Sequence, residues 1–154
     1  MPAEAANGKR PESVLVVVYD AAGRALLLQR ADDPAFWQSV TGSLRWDEDR
    51  PLDAARRELE EETGLPGRGL TDLQLRYRYP ILPRWRPRYA PGMTENIEHA
   101  FAVRVAAGAP VRLNPAEHRA WCWLDLDRAA ARVASWSNRD ALRRVQARRR
   151  APGF

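Results

Sequence analysis

The chain has 154 residues, 45% of them hydrophobic, which suits one compact domain and is short for two. No apolar run approaches the about 18 residues of a membrane span, Met1 to Pro11 lacks the apolar centre of a signal peptide, and the single cysteine, Cys122, excludes a disulfide framework and a cysteine zinc site, so a cytoplasmic protein is expected. The net charge of +5 is carried by arginine, Lys9 being the only lysine; this would suit nucleic-acid binding, but the arginines are spread along the chain and their densest group, Arg143 to Arg150, reads as a solvated tail.

Residues 1–10 read as a loose lead. Val14–Tyr19 and Ala25–Arg30 are β-rich and flank the turn Asp20–Arg24, so they predict a hairpin. Asp32-Asp33-Pro34 breaks the pattern, and Phe36–Thr41 is one short extended piece ending at Gly42. Pro51–Thr63 is the clearest helix, with proline in its first turn and Gly64 at its C-terminal end. Leu73–Tyr79 is a strand. Residues 80–93 hold four prolines and predict a stiff irregular loop. Ile97–Val105 and Ala120–Leu124 are strands, and Leu126–Val133 is a short helix. Ser137 then starts a last helix, with Asp140 completing a capping box, and residues 147–154 form a flexible tail. No repeat or linker divides 1–154. The mixture without βαβ alternation predicts an α+β fold, a mixed sheet between helices.

The helix 51–63 carries the chemistry. Glu58, Glu61 and Glu62 stand at i, i+3 and i+4 and share one face. Leu52, Ala55 and Leu59 form the neighbouring apolar stripe. Three like charges near a helix C-terminus oppose one another and the macrodipole. An exposed acidic helix paired to Arg56 and Arg57 is one reading. A bound divalent cation is the other, because magnesium takes hard oxygen ligands and leaves positions for water and phosphate oxygens.

The segment Gly42 through Leu65 decides between them. Gly42, Glu48, Arg57, Glu58, Leu59, Glu61, Glu62, Gly64 and Leu65 resemble the fixed positions of the Nudix box. One departure stands out: eight residues, Asp49 to Arg56, separate Glu48 from Arg57 where the family has seven. The extra residue falls near Arg50-Pro51 and leaves Glu48 or Asp47 to brace the loop. The resemblance implies a Nudix fold with helices on both faces of a mixed sheet (α/β/α). It also implies hydrolysis of a diphosphate linkage, with Mg2+ (or Mn2+) bound by Glu58, Glu61 and Glu62. Arg57 would brace the loop by a salt bridge, and Gly42 would permit a tight turn. A late glutamate, Glu117, would be a further metal ligand or the general base.

A second layer of likeness covers about residues 9–139. Lys9-Arg10-Pro11, Gln29-Arg30, Asp32-Asp33-Pro34, Phe36 through Ser43, Arg88 through Gly92, Glu117-His118 and Ser135 through Arg139 resemble one bacterial branch of the family. That branch removes pyrophosphate from dihydroneopterin triphosphate in folate biosynthesis. The likeness implies Lys9 and Arg30 on the triphosphate and Thr41 as a hydroxyl donor. Trp37, Tyr79, Ile81, Leu82 and Trp136 would wall the pterin, with Ser135 or Asn138 on its edge. His118, His99 and Cys122 read as structural. The alternatives are a broad nucleoside triphosphate or dinucleoside polyphosphate hydrolase, and a basic nucleic-acid-binding module on the same fold. A small-molecule triphosphate is the expected partner, with neither membrane nor nucleic acid. Nothing in the residues fixes an oligomeric state.

Overall fold

A computed structural model of the chain describes residues 8–151. The sheet is built on β1 (Glu12–Asp20), whose valines leave it buried along most of its length. A tight turn leads to β2 (Arg24–Arg30). Asp20 closes that turn: its carbonyl accepts from Gly23 N–H at 3.0 Å and its carboxylate from Arg24 N–H at 3.0 Å. Gly23 supplies the positive φ of 84° that the turn needs.

The expected hairpin forms only at its base. β1 and β2 pair at Tyr19–Ala25 and then diverge. The gap is filled by the segment expected as one extended piece, which is instead two strands. β3 (Trp37–Gln38) pairs with β2, and β4 (Val40–Ser43) pairs with β1. Ser39 is the pivot, fully buried. Its N–H donates to Asn138 Oδ1 at 2.8 Å and its hydroxyl accepts from Asn138 Nδ2 at 2.9 Å. An alanine at Asn138 would leave a buried N–H without an acceptor. Asn138→Ala is expected to lower stability by about 1–3 kcal/mol, read from the denaturant midpoint. An unchanged midpoint would show that this amide is not needed at the pivot.

The remaining elements are α1 (Pro51–Thr63), β5 (Thr71–Pro80), a short 3₁₀ helix (Pro83–Arg88), β6 (Glu95–Val105), β7 (His118–Asp125), α2 (Leu126–Arg132) and α3 (Trp136–Arg150). β6 lies parallel to β1, and the other pairings are antiparallel. Alternate residues of β1 face opposite sides. Val14, Val16 and Val18 pack with Ala54, Ala55 and Leu59 of α1. Leu15, Val17 and Tyr19 pack with Leu126 and Ala129 of α2 and with Ala141, Leu142 and Val145 of α3. The expected mixed sheet between helices is therefore observed. No helix among the described residues is long and apolar enough to cross a membrane.

Several local expectations are revised. The loop 80–93 contains the 3₁₀ turn. The last helix is capped by Ser135, whose hydroxyl accepts from Asn138 N–H at 3.4 Å. No Ser137–Asp140 box forms: Ser137 is buried inside the first turn, and Asp140 accepts from the Tyr77 hydroxyl at 2.7 Å. Residues 147–150 are helix where a tail was expected, Arg148 and Arg149 donating to the carbonyls of Leu73 and Ala21 at 3.0 Å each.

Residues 8–10 are not loose either. Lys9 N–H donates to Arg88 O at 2.9 Å, and Ala90 N–H donates to Lys9 O at 3.0 Å. Trp46 Nε1 donates to Gly8 O at 2.7 Å, and Arg10 reaches the carbonyls of Arg45 and Glu48 at 3.0 and 2.8 Å. This lead stitches the loop before α1 to the loop 80–93. Residues 1–7 of the lead and 152–154 of the tail lie outside the described residues.

Candidate active site

A cavity of about 1030 Å³ lies where β1 and β2 diverge, and both strands, β4, β6, α1 and the loop 80–93 contribute to its lining. The carboxylates of α1 stand at one end of it. Glu58 and Glu62 lie one helical turn apart and both line the cavity. Glu62 is 2% exposed, and its Oε2 accepts from Thr41 N–H at 3.1 Å. Glu58 Oε1 accepts from Arg57 Nη1 at 2.8 Å. Glu61, expected beside them, is outside the lining. It faces solvent and pairs with Arg57 and Arg45 at 3.2 and 3.3 Å.

The reason for a glycine at 42 differs from the expected one. Gly42 sits inside β4 without a positive φ. What it supplies is room: a Cβ there would overlap the Glu58 carboxylate. Gly64 does take the left-handed conformation, φ 73°, and its N–H donates to Glu60 O at 2.8 Å. The inserted residue is absorbed before α1, so the brace survives. Arg57 Nη2 and Nε reach Glu48 at 2.7 and 3.1 Å, and Arg57 Nη2 also donates to Ser43 O at 3.1 Å. The hydrogen bonds from Arg57 hold the Glu48 carboxyl below its usual range. Asp47, the other candidate for this brace, is exposed.

Glu117 comes to the same place from the loop before β7. Ligand atoms of Glu62, Glu117 and His118 lie within 4.8 Å of one another. Burial, then the charges of Glu58 and Glu117, pushes the Glu62 carboxyl well above its ordinary range. Burial chiefly, with Glu61 and Glu117 adding, pushes Glu58 up to about 7 against the pull of Arg57. His118 does not offset these charges. It is 2% exposed, and burial followed by the Arg30 charge pushes it down to about 4. It is therefore neutral, and its 3.9 Å approach to Glu62 is not an ion pair. Its Nδ1 is buried without a partner. The group is a set of hard oxygen donors short of positive charge, which is what a divalent cation fits.

The expected cations flank this end. Lys9 is exposed into the cavity, its Nζ 5.2 Å from the Tyr89 ring centre. Enclosure by the walls, with the nearby Arg30 and Arg88 charges, lowers its pKa. Arg30 has its fork on Asp32 at 2.7 Å through both Nε and Nη2. It also stacks 4.8 Å from Trp85 and 5.7 Å from Phe36. Arg88 shares the same Asp32 at 3.0 Å. Thr41 donates its hydroxyl to Val14 O at 2.9 Å, so its backbone N–H and side chain are both engaged.

The other end is aromatic and apolar. Tyr79, Ile81, Leu82, Ser135 and Trp136 line it, and Trp136 is 54% exposed. Trp37 does not line it. It packs against the core on the α2–α3 side under the Arg132 guanidinium, 5.1 Å away. Asn138 borders the cavity, but its amide is committed to Ser39. Sequence reasoning gave no individual role to Phe36, Trp85, Arg88, Asn96 or Glu98. The last two had a legible signal: they share the inward phase of β6 with Ala100 and Ala102, where polar side chains are out of place.

The chain matches the family model described as NUDIX domain over residues 9–145. It is 44% identical over 139 residues to the dihydroneopterin triphosphate diphosphatase of Escherichia coli, covering 87% of this chain and 91% of that one. The enzyme of the same name from Haemophilus influenzae is 39% identical over 141 residues, covering 88% and 87%. The solved structure of the E. coli dihydroneopterin triphosphate pyrophosphohydrolase superposes with a TM-score of 0.82 at 43% identity, covering 88% of this chain and 94% of that chain.

Proposed function

Because this chain belongs to the Nudix hydrolase family, we propose that it hydrolyses dihydroneopterin triphosphate to dihydroneopterin monophosphate and pyrophosphate, with Mg2+ as its cofactor. The observation that carries the substrate is the 44% identity to the E. coli enzyme along nine-tenths of that enzyme's length. The cavity supports it. It joins a carboxylate and cation end, suited to a triphosphate, to an aromatic end suited to a flat heterocycle.

Glu58, Glu62 and Glu117 would hold the cation, with Glu61 contributing from the solvent side. When bound, Mg2+ would neutralise phosphate charge and acidify a coordinated water. The chain's own residues do the rest. Lys9, Arg30 and Arg88 orient the phosphate oxygens by charge, the Arg30 fork itself being held on Asp32. Arg57 fixes Glu58 and the preceding loop through Glu48. Glu117, on an exposed loop beside Glu58 and Glu62, takes a proton from the attacking water at its carboxylate. Tyr79, Ile81, Leu82 and Trp136 exclude water around the heterocycle, and Ser135 stands at the rim.

The test is turnover of a panel with magnesium: dihydroneopterin triphosphate, ATP, and a dinucleoside polyphosphate. The pterin is expected to win by at least about tenfold in kcat/KM, or about 1.4 kcal/mol in transition-state binding, with pyrophosphate as product. Equal turnover across the panel would remove the pterin assignment and leave a Nudix hydrolase of broad range.

A further inference from the structure

The 3₁₀ segment Pro83–Arg88 buries none of its residues, so apolar packing does not hold it in place. Three of its side chains do. At about three residues per turn, Trp85 and Arg88 fall on one face, with Arg84 beside them. Arg84 pairs with Asp33 and Arg88 with Asp32, at 3.0 Å each. The Trp85 ring meets Phe36 edge-on, with centres 5.4 Å apart. The segment is thereby pinned along residues 30–36, and the Arg30 guanidinium lies 4.8 Å from the Trp85 ring centre.

Arg30 reaches this place through an irregularity in the sheet. The β2–β7 register shifts between Gln29 and Arg30, which sets Arg30 opposite His118, the neighbour of Glu117. A bulge of this kind re-aims a side chain. The Arg30 guanidinium is then held on its edge and its face. Its Nε and Nη2 donate to Oδ1 and Oδ2 of Asp32 at 2.7 Å each, while Trp85 and Phe36 lie 4.8 and 5.7 Å away. The side-on pair uses two of the five guanidinium N–H groups. Among the described residues the guanidinium makes no other hydrogen bond. What remains is the far edge, where Nη1 and Nη2 present a hydrogen each, side by side. Arg30 lines the cavity, and its charge acts on Glu62, Lys9 and His118, which puts it at the carboxylate end.

An arginine that has to point at a phosphate loses rotamer freedom on binding, and holding it beforehand removes that cost. Asp32 fixes one edge but leaves the plane free to swing about that pair. A ring over the face stops the swing, and tryptophan is the strongest aromatic partner for a cation. With Arg30 and Arg84 at 4.8 and 4.7 Å from its centre, the indole is engaged by cations and is not a wall for a flat ligand. We infer that Trp85 is a positioning residue for Arg30: with Asp32 it fixes the guanidinium plane so that the far edge meets phosphate oxygens of the bound triphosphate. The inference rests on the proposed triphosphate hydrolysis for the kind of occupant, and it gives the 3₁₀ segment a role in that reaction.

The probe is inorganic tripolyphosphate, which has the phosphates without a heterocycle. Its dissociation constant is measured by calorimetry on the full chain, without divalent cation, at one low ionic strength. Trp85→Leu changes no charge, so the Coulomb attraction stays the same. It is expected to weaken binding about five- to tenfold. Trp85→Phe keeps an aromatic face and should stay within about threefold of the wild type. The decisive comparison repeats Trp85→Leu in an Arg30→Gln background. There it should cost less than about twofold, because nothing is left to position. The same fold loss in both backgrounds overturns the inference and makes Trp85 a general prop of the loop. So does unchanged tripolyphosphate affinity in Trp85→Leu, or no measurable binding to the wild type. If Trp85→Leu does not fold, Trp85→Met carries the same comparison. Turnover of the substrate panel reports separately. If the pterin shows no preference while the coupling of Trp85 to Arg30 stands, the proposed substrate is wrong and the role of Trp85 holds.

Discussion

Glu62→Gln is expected to cut kcat by roughly 10²–10⁴-fold, the range for removing a group that holds or moves charge at the reacting centre. The substitution is close to isosteric. Glutamine keeps an oxygen for the Thr41 N–H, the bond that anchors Glu62 now. Stability separates loss of chemistry from loss of fold. Burial raises the Glu62 carboxyl well above its ordinary range. A group whose pKa is raised on folding binds its proton more tightly in the folded state. Its contribution is therefore fully present below the unfolded pKa and is lost as pH rises through the folded one. Metal-free wild type should lose stability from this group as pH rises from the ordinary carboxylate range through its raised folded value, and the glutamine variant should not. Glu58, pushed up to about 7, remains in both, so the slope flattens without vanishing. The measurement is Tm against pH for both proteins beside kcat with magnesium. A variant that turned over normally would remove Glu62 from the site. One with a much lower Tm at pH 8 would mean that the carboxylate is chiefly structural.

Gly42→Ala is expected to lower kcat/KM by about 10²-fold, the scale on which a displacement of about 1 Å is felt in an organised site. The added methyl would overlap the Glu58 carboxylate, and the β4 backbone around residue 42 is held by its register with β1. The side chain has to give. Moving Glu58 also breaks its 2.8 Å contact with Arg57. Overpacking of this kind costs about 1–3 kcal/mol of stability. Pairing Gly42→Ala with Glu58→Asp tests the cause. The shorter acid makes room, so the double variant should be more stable than the sum of the single effects allows. Simple additivity would place the damage elsewhere in β4.

The carboxylate helix could be read from sequence because its information is local. The spacing of Glu58 and Glu62 is fixed by helical geometry, and Arg57, Glu48 and Gly42 lie within one short segment around it. Even so, spacing alone put Glu61 on the same footing as its neighbours. Only the fold shows that Arg45 and Arg57 draw it to the solvent side. The heterocycle end was legible mainly as composition. Trp37 and Trp85 are alike as residues, but β3 turns the first into the core while the 3₁₀ segment holds the second over Arg30. Ser135, Ser137 and Asn138 fall within one turn, and a shift of two residues in the helix start exchanged their roles. Asn96 and Glu98 were given no role: the expected strand began at Ile97, which left Asn96 outside it and Glu98 without its inward neighbour.

The stitched lead at residues 8–10 has a practical consequence for anyone handling this protein. Gly8 and Lys9 line the cavity, so a surface attachment made through Lys9, the chain's one lysine, would intrude on that space. The far end of α3 is the safer handle. α3 begins beside the cavity at Trp136 and runs 15 residues, which at 1.5 Å per residue carries Arg150 about 22 Å away.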